Sequence, residues 1–201
     1  MPKVGVVDYG VGNLFSIGCA LRRLNLDVVL ASIPGELNGV DGVVLPGVGN
    51  FSTASRNIKP FKPVLVDLSG EGRPLLGICL GMQILFGESE ESWGRGLNLI
   101  GGRVVRLPRG VKTPHMGWNT LEVCRWSELL DGVEDGSYFY FFHSYYAEPD
   151  DEDVVAAKTE YGVRFPSVIS SGCIFGTQFH PEKSGKPGAL ILKNFAEMLK
   201  R

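Results

Sequence analysis

The sequence predicts an α/β fold: an open, mostly parallel, twisted sheet flanked by helices, with an added antiparallel part in the second half. In the first half, apolar and β-branched runs typical of buried parallel strands alternate with segments of helical spacing. Glycine-rich turns follow these strands, and 27 residues are glycine, about twice the usual share. From about residue 99 the pattern changes to short runs separated by turns, which is typical of hairpins.

The first half predicts four buried strands. A helix is expected after the first strand because apolar residues recur at helical spacing from Leu14 to Leu24. The fourth strand continues through Cys79 into an apolar helix from residue 80 to about 86. The four strands are predicted at residues 3–8, 26–31, 42–45 and 74–78.

The second half predicts six short strands and a final helix over residues 187–200, and the last strand and helix most simply return to the same sheet. The acidic run 148–153 is expected to be a solvated loop. No linker or repeat divides the chain, so one domain is expected over residues 1–201. The strands are predicted at residues 103–107, 120–124, 137–142, 154–159, 167–170 and 173–179.

Composition excludes several classes of protein. With 20 Lys and Arg against 22 Asp and Glu, the chain lacks the positive field that would hold nucleic acid or an anionic membrane. No apolar run is long enough to suggest a membrane span, and the first residues lack a signal-peptide layout, so a cytoplasmic protein is expected. No C-x-x-C pair occurs, which argues against a disulfide framework or a structural zinc site. We expect inert thiols at Cys19, Cys124 and Cys173.

Cys79 lies between an apolar strand and a helix in the pattern G-x-C-x-G, the thiol counterpart of the nucleophile elbow of hydrolases. Gly77 and Gly81 allow the sharp turn that projects the side chain from the sheet edge. A helix N-terminus favours the thiolate, and the backbone N–H of Leu80 can bind an oxyanion. Cys79 is therefore the candidate nucleophile.

His180 is the candidate base, because it follows a predicted strand at the edge where catalytic groups of α/β sheets gather. Glu182 is two residues further on, and Pro181 holds the intervening backbone extended, so both side chains leave the same face. The carboxylate can then orient the imidazole and stabilise its charged form.

The turn Pro46–Gly47–Val48–Gly49 follows the third strand. Its glycines would let a peptide plane rotate and aim a backbone N–H at developing negative charge. An ordinary glycine-rich turn is the alternative. A phosphate loop is disfavoured, because neither a Walker lysine nor G-x-G-x-x-G accompanies the turn.

Three motifs together resemble the signatures of the triad-type (class I) glutamine amidotransferases: P-G-V-G at 46–49, G-I-C-L-G-M-Q at 77–83 and Q-F-H-P-E at 178–182. The resemblance covers essentially the whole chain and implies a flavodoxin-like fold. D-Y-G-V-G-N at 8–13, P-H-M-G-W-N at 114–119 and F-F-H-S-Y at 141–145 resemble the glutaminase subunits that serve imidazole glycerol phosphate synthase, in histidine biosynthesis.

The resemblance implies the chemistry. Cys79 would attack the side-chain amide of glutamine, His180 would pass a proton to the leaving ammonia, and Glu182 would orient His180. Leu80 and, after a peptide rearrangement, Val48 would supply the oxyanion N–H groups. Neither a metal nor an organic cofactor is implied.

The resemblance also implies the substrate pocket and a partner. Gly47 and Gln83 would contact glutamine, and the backbone of His143, Ser144 and Tyr145 would receive its α-carboxylate. Ammonia would pass to a (β/α)8-barrel cyclase subunit in a heterodimer, which makes imidazole glycerol phosphate and aminoimidazole carboxamide ribotide. The implied interface residues are Met116, Trp118, Asn119, Tyr140 and Lys183.

The residue pattern alone is less specific for the last segments. Trp118 and the aromatic run 138–142 would by default be core strand residues. His115 and His143 lack a carboxylate at ligand spacing, so a structural or substrate-contact role outweighs a metal site.

Three alternatives stay open: a glutaminase of another synthase, a cysteine peptidase or redox protein of similar fold, and a catalytically silent binding module. A peptidase or redox protein has no need for Gln83 together with residues 143–145. A silent module is disfavoured because nucleophile, base and orienting carboxylate are all present.

Overall fold

The computed structural model describes residues 1–200 and contains a central eight-stranded sheet. The strands of this sheet are β1 (Lys3–Val7), β2 (Asp27–Ala31), β3 (Gly42–Leu45), β4 (Leu75–Ile78), β8 (Glu122–Val123), β11 (Val155–Glu160), β12 (Arg164–Ser171) and β13 (Ile174–Thr177). Their order is β2-β1-β3-β4-β13-β12-β11-β8, in which the pairs from β2 to β13 are parallel and those from β13 to β8 are antiparallel. The predicted fold class is confirmed.

Two small sheets lie outside the central one. Strand β10 (Tyr145–Pro149) pairs with β6 (Gly102–Arg106), which also pairs with β5 (Glu88–Ser89). Strands β7 (His115–Thr120) and β9 (Tyr138–His143) form an antiparallel two-stranded sheet.

Five α-helices complete the described chain, with five short 3-10 helices between elements. The first two begin at side-chain caps, because Asn13 accepts from the N–H of Ser16 and Asn50 from that of Ser52. The helices are α1 (Leu14–Arg22), α2 (Phe51–Ile58), α3 (Lys62–Gly70), α4 (Leu80–Gln83) and α5 (Gly185–Met198), and the 3-10 helices are Pro34–Leu37, Lys59–Phe61, Glu128–Leu130, Glu152–Val154 and Pro181–Lys183. Within residues 1–200, no helix has the length and apolar character needed to cross a membrane.

The central sheet is buried on both faces. Along β3, Val44 packs in one apolar cluster while Val43 and Leu45 pack in the other. Because successive side chains of a strand point to opposite faces, the two clusters lie on opposite sides of the sheet. This explains why the strands of the first half are continuous apolar runs rather than alternating ones.

Several predicted boundaries were wrong. The helix expected to reach residue 86 ends at Gln83, because the N–H groups of Leu85 and Phe86 bond to carbonyls three residues back and tighten the chain into a turn. The run 120–124 is split, because β7 pairs with β9 whereas β8 pairs with β11. Glu148 belongs to β10 rather than to a loop, and its carboxylate pairs with Arg103 on β6. The pattern analysis did not single out α2 and α3.

The expectation of an aromatic core was right for only part of β9. Phe139 and Phe141 are fully buried, but Tyr138 is 61% exposed and Phe142 43% exposed. Trp118, which was also expected in the core, is 57% exposed. The reason is that the two-stranded sheet covers the body of the protein with one face only, so alternate residues point outward.

The topology places three motifs at one edge of the sheet. Strands β3, β4 and β13 are adjacent and parallel. Their carboxyl ends therefore deliver the turn Pro46–Gly49, Cys79 and His180 to the same place.

Candidate active site

Cys79 occupies a strained turn between β4 and α4, with φ +54° and ψ −109°. Its N–H donates to the carbonyl of Thr177 at 2.7 Å, which ties the elbow to β13. A Cβ at Gly77 would lie 2.5 Å from the carbonyl oxygen of Gly81, and one at Gly81 would lie 1.7 Å from that of Leu45. Both glycines are thus sterically required, which supports the predicted elbow geometry.

His180 and Glu182 form a buried pair beside this thiol. Nδ1 of His180 lies 3.0 Å from Oε1 of Glu182, and the side chains are only 2% and 4% exposed. Burial acts to lower the pKa of His180, but the nearby Cys79 and Glu182 outweigh it and raise the pKa to about 10. The imidazole is therefore charged at neutral pH. Its Nδ1 faces the Glu182 carboxylate, whereas its buried Nε2 has no hydrogen-bond partner within residues 1–200.

Of the two predicted oxyanion donors, the N–H of Leu80 is not free in this conformation. The N–H of Leu80 donates to the carbonyl oxygen of Gly47 at 3.3 Å, so a carbonyl of the protein occupies the place of the oxyanion. The turn is held by Tyr9, whose buried hydroxyl donates to the carbonyl of Pro46 at 2.6 Å. Burial, with a smaller effect of Cys79, raises the pKa of Tyr9 far above its usual value, so this donor stays protonated. We call this arrangement the closed oxyanion hole.

A cavity of about 220 Å³ opens beside Cys79 and contains most of the residues that were predicted to contact glutamine. Gly47 is the exception, because it packs against the helix start rather than lining the cavity. The lining residues are Val48, Gly49, Cys79, Leu80, Gln83, Glu91, Pro114, Phe142, His143, Ser144 and Tyr145.

Glu91 is a pocket residue that the sequence analysis missed. It follows β5 in the acidic run 88–91 and reaches back to α2, where Oε2 accepts the N–H of Phe51 at 2.7 Å. Its carboxylate is an acidic side chain lining the cavity, and such a group can bind an ammonium ion. The acidic run was the available signal, but only the fold brings it to the nucleophile.

Gln83 uses its amide nitrogen within the protein. Nε2 donates to the carbonyl of Tyr145 at 2.7 Å and to Oε1 of Gln178 at 3.0 Å. Both amide hydrogens are thereby committed, and the atom of Gln83 left for a ligand is its acceptor oxygen. Gln178, a second residue to which the sequence analysis gave no role, is fully buried.

His143 and His115 form a neutral pair behind the pocket. Nδ1 of His143 donates to the carbonyl of Tyr145 at 2.9 Å, so its Nε2 must accept from Nδ1 of His115 at 3.0 Å. Burial lowers the pKa of His115 to about 4 and is the main cause that lowers the pKa of His143 to about 3. No group of side chains within residues 1–200 has the composition and proximity of a metal site.

The outer face of the β7–β9 sheet brings together four of the five predicted interface residues. Met116 and Trp118 are more than half exposed, the rings of Trp118 and Tyr140 lie 6.0 Å apart, and Nζ of Lys183 lies 5.9 Å from the ring of Tyr140. Asn119 differs, because its amide donates to the carbonyl of Glu160 and lies 3.3 Å from His115. Its side chain belongs to the opposite face of the sheet.

The chain matches known proteins over almost its full length. The family described as glutamine amidotransferase class-I matches residues 5–199. The chain is 54% identical to the imidazole glycerol phosphate synthase subunit HisH of Halobacterium salinarum, over 97% of this chain and 93% of the relative. It is 50% identical to the subunit of the same name from Methanothermobacter thermautotrophicus, over 98% and 99% of the two chains.

A solved structure has a similar fold. It is that of a putative GMP synthase protein of Thermoplasma acidophilum, with a TM-score of 0.78 and 25% identity over 100% of this chain and 94% of that one. The chain belongs to the class-I glutamine amidotransferase family.

Proposed function

We propose that Cys79, His180 and Glu182 are the catalytic triad with which this glutaminase subunit of imidazole glycerol phosphate synthase supplies ammonia for histidine biosynthesis. The observation that carries the proposal is the buried His180–Glu182 pair beside a cysteine on a nucleophile elbow. Relatives about 50% identical bear the name of that subunit, which favours this role over a glutaminase of another synthase.

The triad supports a two-stage hydrolysis. The Cys79 thiolate attacks Cδ of glutamine, and the C–N bond of the tetrahedral intermediate breaks as charged His180 gives its proton to the departing ammonia. A thioester remains. Neutral His180 then takes a proton from water, the hydroxide attacks the thioester, and glutamate leaves as the thiolate is regenerated. The sum is glutamine plus water to glutamate plus ammonia.

The pocket provides acceptors and donors that suit glutamine. The acceptor oxygen of Gln83 would bind the side-chain NH2 group, which glutamate lacks, so the site would discriminate substrate from product. Glu91 would bind the α-ammonium group, and the backbone of residues 143–145 would bind the α-carboxylate. Each of these residues lines the cavity beside Cys79.

The closed oxyanion hole supports a requirement for activation. Rotation of the Gly47–Val48 peptide would remove the carbonyl from Leu80 and present the N–H of Val48 in its place. One rotation would thus supply both donors that the tetrahedral intermediate needs. Until that rotation, the carbonyl oxygen of Gly47 would repel the negative charge of the tetrahedral intermediate. The subunit would then hydrolyse little glutamine when no acceptor for the ammonia is ready.

The partner would be the (β/α)8-barrel cyclase, bound as a heterodimer in the cytoplasm. The outer face of β7 and β9 exposes four large side chains, those of Met116, Trp118, Tyr138 and Phe142. Such surface is typical of protein interfaces. It lies on the strand that ends at His143, so docking would occur next to the glutamine pocket.

The proposal is tested by covalent labelling with a glutamine analogue that carries a diazo-ketone in place of the amide. We expect the label on Cys79 and on no other cysteine, because only Cys79 is paired with a charged histidine. Peptide mapping measures this, with the Glu91→Gln variant as a control in which labelling requires a higher analogue concentration. Label on Cys19, Cys124 or Cys173 would contradict the assignment of the nucleophile.

A further inference from the structure

Within residues 1–200, the sulfur of Cys79 has hydrogen-bonding contacts with two groups outside the proposed triad. Its Sγ lies 3.5 Å from the carbonyl oxygen of Phe142, to which the thiol can donate. Nε2 of Gln178 lies 3.7 Å from the same sulfur and is placed to donate to it. Within residues 1–200, the one side-chain amide that contacts the nucleophile is thus that of Gln178, which is fully enclosed by protein.

The direction of the Gln178 amide follows from its neighbours. The Tyr145 carbonyl can only accept, so the amide nitrogen of Gln83 must face it. The same nitrogen also faces the Gln178 side chain at 3.0 Å, so the atom of Gln178 at that contact must be the oxygen. The nitrogen of Gln178 therefore faces Sγ. In the flipped amide, the NH2 group of Gln178 would face the NH2 group of Gln83, and the oxygen of Gln178 would face the sulfur.

The chain path explains how Gln178 reaches the site. It follows β13 and lies two residues before His180, so in extended backbone the two side chains leave the same face. Its own N–H is anchored to the carbonyl of Ser167 on β12 at 2.9 Å. One strand end thereby brings both the imidazole and the amide to the thiol.

We propose that Gln178 is a further catalytic residue, whose amide N–H donates to the Cys79 sulfur and stabilises and orients the thiolate. This rests on the proposed function, in which that thiolate is the nucleophile. A buried anion needs hydrogen-bond donors in place of water, and Gln178 supplies one that needs no proton transfer. The oxygen of the same amide accepts a hydrogen bond from Gln83, the residue that would bind the side-chain amide of the substrate. Gln178 thus contacts both the nucleophile and a substrate-binding residue.

The first test follows the alkylation of Cys79 by iodoacetamide as a function of pH, with peptide mapping to separate the four cysteines. In Gln178→Met, which removes the donor, the pH of half-maximal alkylation should rise by about 1 unit, because a hydrogen bond to a charged group is lost. Gln178→Glu should shift it in the same direction. The matched control is Ser167→Ala, a buried neighbour whose hydroxyl makes no hydrogen bond within residues 1–200, and it should behave as the wild type.

The outcomes separate two failures. If Cys79 of the wild type is no more reactive than Cys124, the proposed function itself fails. If it is reactive but both folded Gln178 variants keep the wild-type profile, only the role of Gln178 is overturned.

A second measurement needs no substitution at the site. Gln83 and Gln178 are the only two glutamines of the chain, so labelling with side-chain 15N-glutamine yields two NH2 signals. The chemical shift of one amide proton of Gln178 should change with pH over the range in which Cys79 becomes reactive to alkylation. The shift of its geminal partner should stay nearly constant, as expected when a single N–H donates to the sulfur. Chemical shifts that do not change with pH, or that change equally for both protons, would contradict the proposal.

Discussion

At the residue scale, whether a buried histidine of this protein is charged depends on the carboxylate and thiol buried beside it. Burial alone would leave His180 neutral, as it does His115 and His143. Glu182 and Cys79 reverse that outcome and raise the pKa of His180 to about 10. The three histidines thus have the same side chain but two different tasks: one carries a proton, and two are neutral hydrogen-bonding groups.

Changing Glu182 to Gln should reduce kcat by roughly 10- to 10⁴-fold with KM for glutamine nearly unchanged, since an orienting carboxylate is lost while the residue does not line the pocket. A neutral amide stabilises the charged imidazole less than a carboxylate does, so the pKa of His180 should fall, although the effect of Cys79 on it remains. Steady-state kinetics check this, and the exposed Glu197→Gln is the control that should leave both constants unchanged. An unaltered kcat would remove Glu182 from the triad.

At the element scale, the turn after β3 acts together with the start of α4. The Leu80 N–H is occupied by the Gly47 carbonyl, and Tyr9 fixes the preceding residue. Val48 has no positive φ in this conformation. Rotation of the Gly47–Val48 peptide by about 180° would bring Val48 into the positive-φ region, where a β-branched residue is strained. The side chain of Val48 therefore adds to the cost of opening the hole.

Val48→Gly should raise the kcat of the isolated chain by about 5-fold or more, because it removes a strain of roughly 1 to 3 kcal/mol from the open state. Val48→Ala is the matched control: it also lacks the isopropyl group but keeps a Cβ, and we expect its kcat to stay much closer to that of the wild type. Equal rates for the two variants would show that Val48 strain does not hold the hole closed.

The same elements show how far the sequence predicts the site. The elbow, the His180–Glu182 spacing and the strand ends are local patterns, and these side chains do meet at one sheet edge. The orientation of one peptide plane, which closes the hole at Leu80, leaves no mark in residue type. Glu91 can be assigned to the site only when separate segments pack together. Gln178 does have a local signal, because it lies two residues before His180, but its contact with Cys79 depends on packing. The outward face of Trp118 depends on what the two-stranded sheet covers.

At the scale of the whole molecule, the central claim is that this glutaminase is assembled but held inactive until its partner is ready. The side chains of the proposed triad lie together, whereas the proposed oxyanion hole is filled by the carbonyl of Gly47. The exposed face of β7 and β9 lies beside the pocket, because β9 ends at His143, which lines the pocket and contacts His115 of β7. Docking on that face is therefore well placed to act on the site without adding any catalytic group.

The most direct test compares the glutaminase kinetics of the isolated chain with those of its complex with the cyclase and the nucleotide-like ligand of that cyclase. We predict at least a 100-fold rise in kcat, about 2.7 kcal/mol of barrier, because one oxyanion donor contributes roughly that much. The change should fall on kcat rather than KM, since the donor meets charge that exists only in the transition state. An isolated chain as fast as the liganded complex, or stimulation seen wholly as a lower KM, would contradict the closed oxyanion hole as the point of control.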